Sequence, residues 1–193
     1  MSFPIPKLQW GNTSVSGVTS LGQNDISFIA NTSSLKVGMK IEDPEFPEGT
    51  TIITVNANQV LLSNNATASS SGSRSFYFEY LFKYPSIVDD GEQVKPKRRV
   101  KTSISGVDQV IIDHIRYERA LEWGHLTEAE SDTLKNDFFV AHAITGNEFL
   151  YFPDQNDELT FFTYELADAD FEPKRLGNSD KFGFSTKFKR VEF

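Results

Sequence analysis

The stretch Val37–Ile52, "VGMKIEDPEFPEGTTI", decides how the chain is read. Val37, Met39 and Ile41 alternate with polar neighbours, the period of a strand with one buried face. Thr50, Ile52 and the residues after them open a second β-branched run. Between the two lie Pro44, Pro47 and Gly49, which stiffen or free the backbone for a turn. Asp43, Glu45 and Glu48 fall within six positions and raise a second possibility, a metal or acid–base site. A general acid–base pair needs one carboxylate in an apolar pocket that raises its pKa. The neighbouring residues supply no such pocket, so the stretch reads as strand, turn and strand, with the acids keeping the turn hydrated.

The same texture extends on both sides. "VSGVTS", "ISFIA", "GTTIITV" and "QVLLS" are short β-branched runs separated by Asn, Gly, Ser or Pro, which predicts a small all-β sandwich or barrel. "NANQ" (56–59) reads as a hairpin turn, and "NNATASSSGSR" (64–74) as an exposed loop or irregular edge. The composition changes near Arg74: six of the 27 acids lie in residues 1–80, leaving 27 − 6 = 21 beyond them.

The later part mixes strands with one helix. "SFYFEYLF" places Phe76, Phe78, Tyr80 and Phe82 on one side of a strand. "QVIIDHIRYERAL" alternates in part, with Ile111, Ile115 and Tyr117 opposite Ile112 and His114. Thr127 and Glu130 form a T-x-x-E capping box that starts a helix. Leu134, Phe138 and Ala141 would be its buried stripe, and Gly146 its stop. "EFLYF", "LTFFTYEL" and "KFGFSTKFKRVEF" follow as strands, the last with Phe182, Phe184 and Phe188 on one face and Lys187 and Lys189 on the other. Because "SFPIPKLQW" is strand-like and aromatic strand character resumes at Phe76, the small module reads as an insertion. The expected domains are 1–11 with 75–193, a β-barrel-like core carrying one helix, and 12–74, the inserted β-module. The fold class is mainly β with one helix (α+β).

Composition narrows the function. The 193 residues carry a net charge of −8 and no cysteine. Disulfides, thiol catalysis and Cys-based zinc sites are excluded, and a general nucleic-acid binder is disfavoured. The start lacks a basic segment and a long apolar run and is not read as a signal peptide; no stretch is long and apolar enough to insert in a membrane. His114, His125 and His142 lie 11 and 17 residues apart, without metal-ligand spacing. "PDQNDEL" (153–159) lacks the glycine and distal glutamate of an EF-hand loop and reads as a polar hairpin turn. No nucleophile elbow, P-loop or dinucleotide fingerprint occurs, so no catalytic, metal or cofactor residues are assigned and no enzyme is expected. Aromatics that could stack on sugars are scarce between 11 and 75: only Phe28, read as core, and Phe46. The sharpest charge feature is "VKPKRRVK", with Lys95, Lys97, Arg98, Arg99 and Lys101 within seven positions. It is either a contact surface for phosphates, including those of DNA, or for an acidic protein, or a solvated strand or loop edge on which lysine discourages pairing. Lys187, Lys189 and Arg190 form a second basic edge.

Residues 76–193 resemble the distal tail proteins of long-tailed bacteriophages, in particular the lambdoid minor tail protein M group. The resemblance rests on "DGEQVKPKRRV", on "LTEAESDTLKNDFFVAHAITGNEFLYF" and on the ending "FEPKRLG…FGFSTKFKRVEF". The inserted part is similar to a small β-module of phage virion proteins, through Leu35, Val37, Gly38, Met39, Gly49, Thr50, Ile52, Val60, Leu62, Ser63, Ala66 and Thr67. The resemblance implies a structural virion protein without catalytic residues or cofactors. It would act in the tail, after assembly in the host cytoplasm, as a homo-oligomeric and hexameric ring joining the tail tube protein to the tail-tip hub protein. The alternative is a virion-associated accessory that binds a host surface or glycan through the inserted module.

Overall fold

The structure, a computed structural model, describes residues 4–86, 88–102, 108–167, 173–177 and 179–191; the side chains of 88–90, 96–102 and 108–116 lie outside that description. The fold is mainly β with one helical segment. It divides into two compact units: an inserted unit, Gln9–Tyr80, and a main unit formed by the residues before Gln9 and after Tyr80. The chain crosses between units inside two long strands, β1 (Lys7–Thr19) and β6 (Ser70–Leu81). The sequence-based limits at 12 and 74 therefore fall within strands.

The inserted unit holds β2 (Asp25–Ile26), β3 (Lys40–Glu42), β4 (Ile52–Val55) and β5 (Val60–Leu62) between those two. One sheet has the order β3-β6-β1, the other β2-β5-β4. β4 and β5 form the hairpin expected around 56–59, closed by the Asn56 N–H donating to the Gln59 carbonyl at 2.8 Å. Ile26, Met39, Ile41, Ile52, Val60 and Phe76 make the buried core.

Three local expectations are corrected. Val37 does not alternate into the core: Gly38 takes a left-handed φ of +90°, which breaks the period and leaves Val37 60% exposed. Phe28 is not core. Its φ of +61° turns the ring outward to 79% exposure between buried Ile26 and Ile29. Residues 64–74 are not one exposed loop, because Ser70–Arg74 already belong to β6 and Ala66 and Arg74 are buried.

The main unit contains β7 (Val88–Thr102), β8 (Asp108–Leu126), β9 (Phe149–Phe152), β10 (Phe162–Leu166), β11 (Lys174–Arg175) and β12 (Phe182–Arg190). Among the described residues these strands pair antiparallel, in the order β9-β10-β12-β8-β7, with β11 added to β12 at Phe182 and Gly183. The core is aromatic. Trp123 stacks on Phe82 with centroids 4.5 Å apart, and Phe184, Phe188, Phe149, Tyr151 and Tyr164 continue the cluster. The 153–161 connection is a turn: Asp154 accepts the Asn156 N–H at 3.0 Å, and Asp157 accepts the Leu159 N–H at 3.1 Å. Those side chains are engaged by their own backbone.

The helix α1 (Glu128–Thr133) starts with the expected reciprocal cap: Thr127 accepts from the Glu130 N–H, and Glu130 accepts from the Thr127 N–H. The following turns, Leu134–Val140, widen to π geometry, with the Ala141 N–H reaching back to the Asn136 carbonyl. That wide turn shifts the stripe. Leu134, Phe138 and also Phe139 are buried, Ala141 is exposed and Ala143 takes its place inside. Gly146 ends the segment with φ +80°.

Glu130 gives this start a pH signature. Its carboxyl is held down at about 2, first by the Lys83 ammonium that hydrogen-bonds it and then by the Thr127 N–H. A depressed carboxylate stabilises the fold above its ordinary value of 4.5 and loses that contribution as pH falls through about 2. Glu130→Gln is expected to cost about 1 kcal/mol at neutral pH, since the site is partly solvated. It should also flatten the stability loss between pH 4.5 and about 2 in urea titrations. Parallel wild-type and variant curves across that window would refute the assignment.

Candidate interaction surface

β8 pairs with β12 only from Leu126 to Glu118, whereas its pairing with β7 runs from Glu122 to Asp108. Beyond Glu118, β7 and β8 therefore continue as a two-stranded ribbon, with no third strand among the described residues. From Val94 to Thr102 this ribbon is about 30 Å long at ~3.4 Å per residue. All five residues singled out in sequence, Lys95, Lys97, Arg98, Arg99 and Lys101, lie on its β7 strand.

The register divides the ribbon into two sets of alternating cross-strand pairs. One set contains Val94 opposite Tyr117, Pro96 opposite Ile115, Arg98 opposite Ile112 and Val100 opposite Val110. The other contains Lys95 opposite Arg116, Lys97 opposite His114, Arg99 opposite Ile111 and Lys101 opposite Gln109. A bulge between Lys97 and Arg98, across from Asp113, restores the phase. The first set is largely apolar and the second largely cationic. The expected side-chain alternation of Ile111, Ile112, His114 and Ile115 lies outside the described residues, as do the side chains of Lys97, Arg98, Arg99 and Lys101. Lys95 is described: its ammonium is 2.7 Å from Glu118 and half exposed.

The root of the ribbon is clamped. Glu92 on β7 lies opposite Arg119 on β8. Its carboxylate takes Arg190 at 3.0 Å and the Tyr164 hydroxyl at 3.3 Å. The Arg190 guanidinium lies 5.4 Å from the Phe162 centroid and 5.8 Å from that of Tyr117. Burial, and then the Glu92 charge, push the Tyr164 hydroxyl up to about 12. Tyr164 thus stays a neutral donor at any physiological pH. Glu92 precedes Tyr164 by 72 positions and Arg190 by 98; no local motif marks such a set. The second basic edge is largely engaged internally, with Lys189 on Glu165 and Arg190 on Glu92.

The other sequence candidates are not brought together. His125 is exposed, with its ring 5.9 Å from that of Tyr84, and His142 Nε2 is 2.8 Å from the Glu148 carbonyl oxygen. Among the described residues no group of three or more His, Asp or Glu side chains is arranged to hold a metal ion. No described helix is long and apolar enough to cross a membrane.

The acids of the 37–52 turn have a structural use instead. Arg74, 2% exposed, places Nε 2.9 Å from Asp43 and a terminal nitrogen 3.1 Å from Glu45. It also donates to the Ser70 hydroxyl at 2.6 Å and to the Gly17 carbonyl at 2.8 Å. The carboxylates neutralise a buried guanidinium; of the three acids, only Glu48 has the purely solvated role the sequence suggests.

No protein-family model, curated sequence or solved structure matches the chain.

Proposed function

We propose that this chain is a non-enzymatic structural protein of a bacteriophage tail, building a homo-oligomeric, hexameric ring that joins the tail tube to the tail-tip hub. The observation that carries this reading is the β7–β8 ribbon. An isolated two-stranded ribbon is marginal in water and gains most from lying on another surface. The chain has a net charge of −8, and the ribbon strands 94–102 and 108–117 carry six cations, Arg116 among them, and two acids, Asp108 and Asp113, so the remainder carries −8 − 4 = −12. A second copy therefore offers an acidic surface to a basic, half-apolar arm, and a head-to-tail contact of this kind repeats around a closed ring. The resemblance of residues 76–193 to distal tail proteins supplies the setting.

The test is mass photometry of the full chain across concentration, alongside a variant with Lys95, Lys97, Arg99 and Lys101 changed to Glu. The expected result is one closed multiple for the wild type and a variant at least 100-fold weaker in assembly, with an unchanged circular dichroism spectrum. A wild-type chain that stays monomeric and binds neither tube nor hub subunits would overturn the reading.

A further inference from the structure

The inserted unit carries a cleft of about 270 Å³ on the outer face of its β3-β6-β1 sheet. Its wall is polar. β1 contributes Gln9, Asn12 and Ser14, β6 contributes Ser75 and Tyr77, and β3 contributes Glu42. Strand pairing fixes this set: Glu42 lies directly opposite Ser75, and Lys40 opposite Tyr77. Ser14 reaches across to the hydroxyls of Ser73 and Ser75 at 3.2 and 3.5 Å. Phe76 lies beneath the cleft, with its side chain buried in the core of the unit.

Each group restricts the ligand. The cleft contains no cation, and the neighbouring Lys40 ammonium is taken up by Glu79, so an anionic phosphate or nucleotide finds no counter-charge. A single carboxylate is too few ligands for a divalent cation. Hydroxyls, amides and a carboxylate around a half-buried ring would leave polar groups unpaired against an apolar ligand. What they match is a ligand presenting several neutral hydroxyls and one C–H face. Glu42 is exposed and its carboxylate can accept from two neighbouring hydroxyls of a ligand; Asn12, whose Oδ1 accepts from Gln9 at 3.2 Å, can both donate and accept. The serine hydroxyls bond one another at lengths that a ligand can outcompete, and the Tyr77 ring offers the flat apolar surface. The volume lies just below the ~300–1,000 Å³ of pockets for drug-sized ligands and suits a single sugar ring.

The geometry points to a saccharide site: the cleft of the inserted unit binds one neutral hexose unit of a larger glycan, through Glu42, Asn12, Ser14, Ser75 and Tyr77. This site does not depend on ring assembly. It also answers the scarcity of aromatics between 11 and 75, because the unit extends to Tyr80 and so includes Tyr77.

The experiment is ligand-observed NMR on the full chain with glucose, galactose, rhamnose and N-acetylglucosamine, and with glucuronic acid as the charged comparison. At least one neutral sugar is expected to bind with millimolar affinity. Glu42→Gln and Asn12→Ala, both at exposed positions, should each weaken it about tenfold with unchanged melting temperature. Absence of binding by every neutral sugar, binding indifferent to both substitutions, or tighter binding of glucuronic acid would overturn the proposal.

Discussion

Arg74→Ala is expected to destabilise the inserted unit by about 3–5 kcal/mol, because it leaves Asp43 and Glu45 without their buried partner. The Asp43 side chain is only 9% exposed and that of Glu45 22%, so water recovers little of the lost interaction. Arg74→Lys should also be costly. A single ammonium cannot reach two carboxylates, a hydroxyl and the Gly17 carbonyl from one position. The decisive comparison is Arg74→Met alone against Arg74→Met with Asp43→Asn and Glu45→Gln. Removing the stranded charges should recover a good part of the loss in urea denaturation. If the triple variant is no more stable than the single one, the cost is not electrostatic.

The second large effect is expected at Phe188. Its ring is fully buried, with centroids 4.8 Å from Phe149, 5.7 Å from Tyr164 and 6.1 Å from both Tyr151 and Trp123. It sits on β12, the strand that joins β10 to β8. Phe188→Ala removes the shared neighbour of four rings and should cost about 3–5 kcal/mol, whereas Phe188→Leu should stay within about 1.5 kcal/mol. Near-ultraviolet circular dichroism would report the loss of fixed aromatic packing. An alanine variant within about 1 kcal/mol of wild type would show that the cluster collapses around the gap.

What the sequence reveals and what it hides divide by distance along the chain. The capping box of Thr127 and Glu130, the 56–59 hairpin and the aromatic face of the last strand are legible because their partners lie within a few residues or within one period. The wide turn after Thr133 is not, because apolar spacing of 3.6 cannot show that Phe139 joins Phe138 inside and Ala141 leaves. Phe28 misleads for a related reason: composition places a phenylalanine in the core, and one left-handed residue turns it out. Arg74 and the Glu92–Tyr164–Arg190 clamp are invisible, since charges from distant strands meet only in the folded chain. The basic run of 95–101 is obvious in sequence; that it rides on a ribbon extending past its sheet is a matter of register.

The position of β12 has a consequence for the order of events during synthesis. The inserted unit is complete in the chain once Tyr80 has emerged. The main unit is not, because β12, ending at Arg190, must enter between β10 and β8. At ~5–20 residues per second, the intervening stretch takes on the order of ten seconds to make. Within that interval β8, and later β10, each present an open edge from the time they are made until β12 follows. Nascent chains stalled before residue 182 should therefore be captured by chaperones, with the inserted unit already resistant to protease.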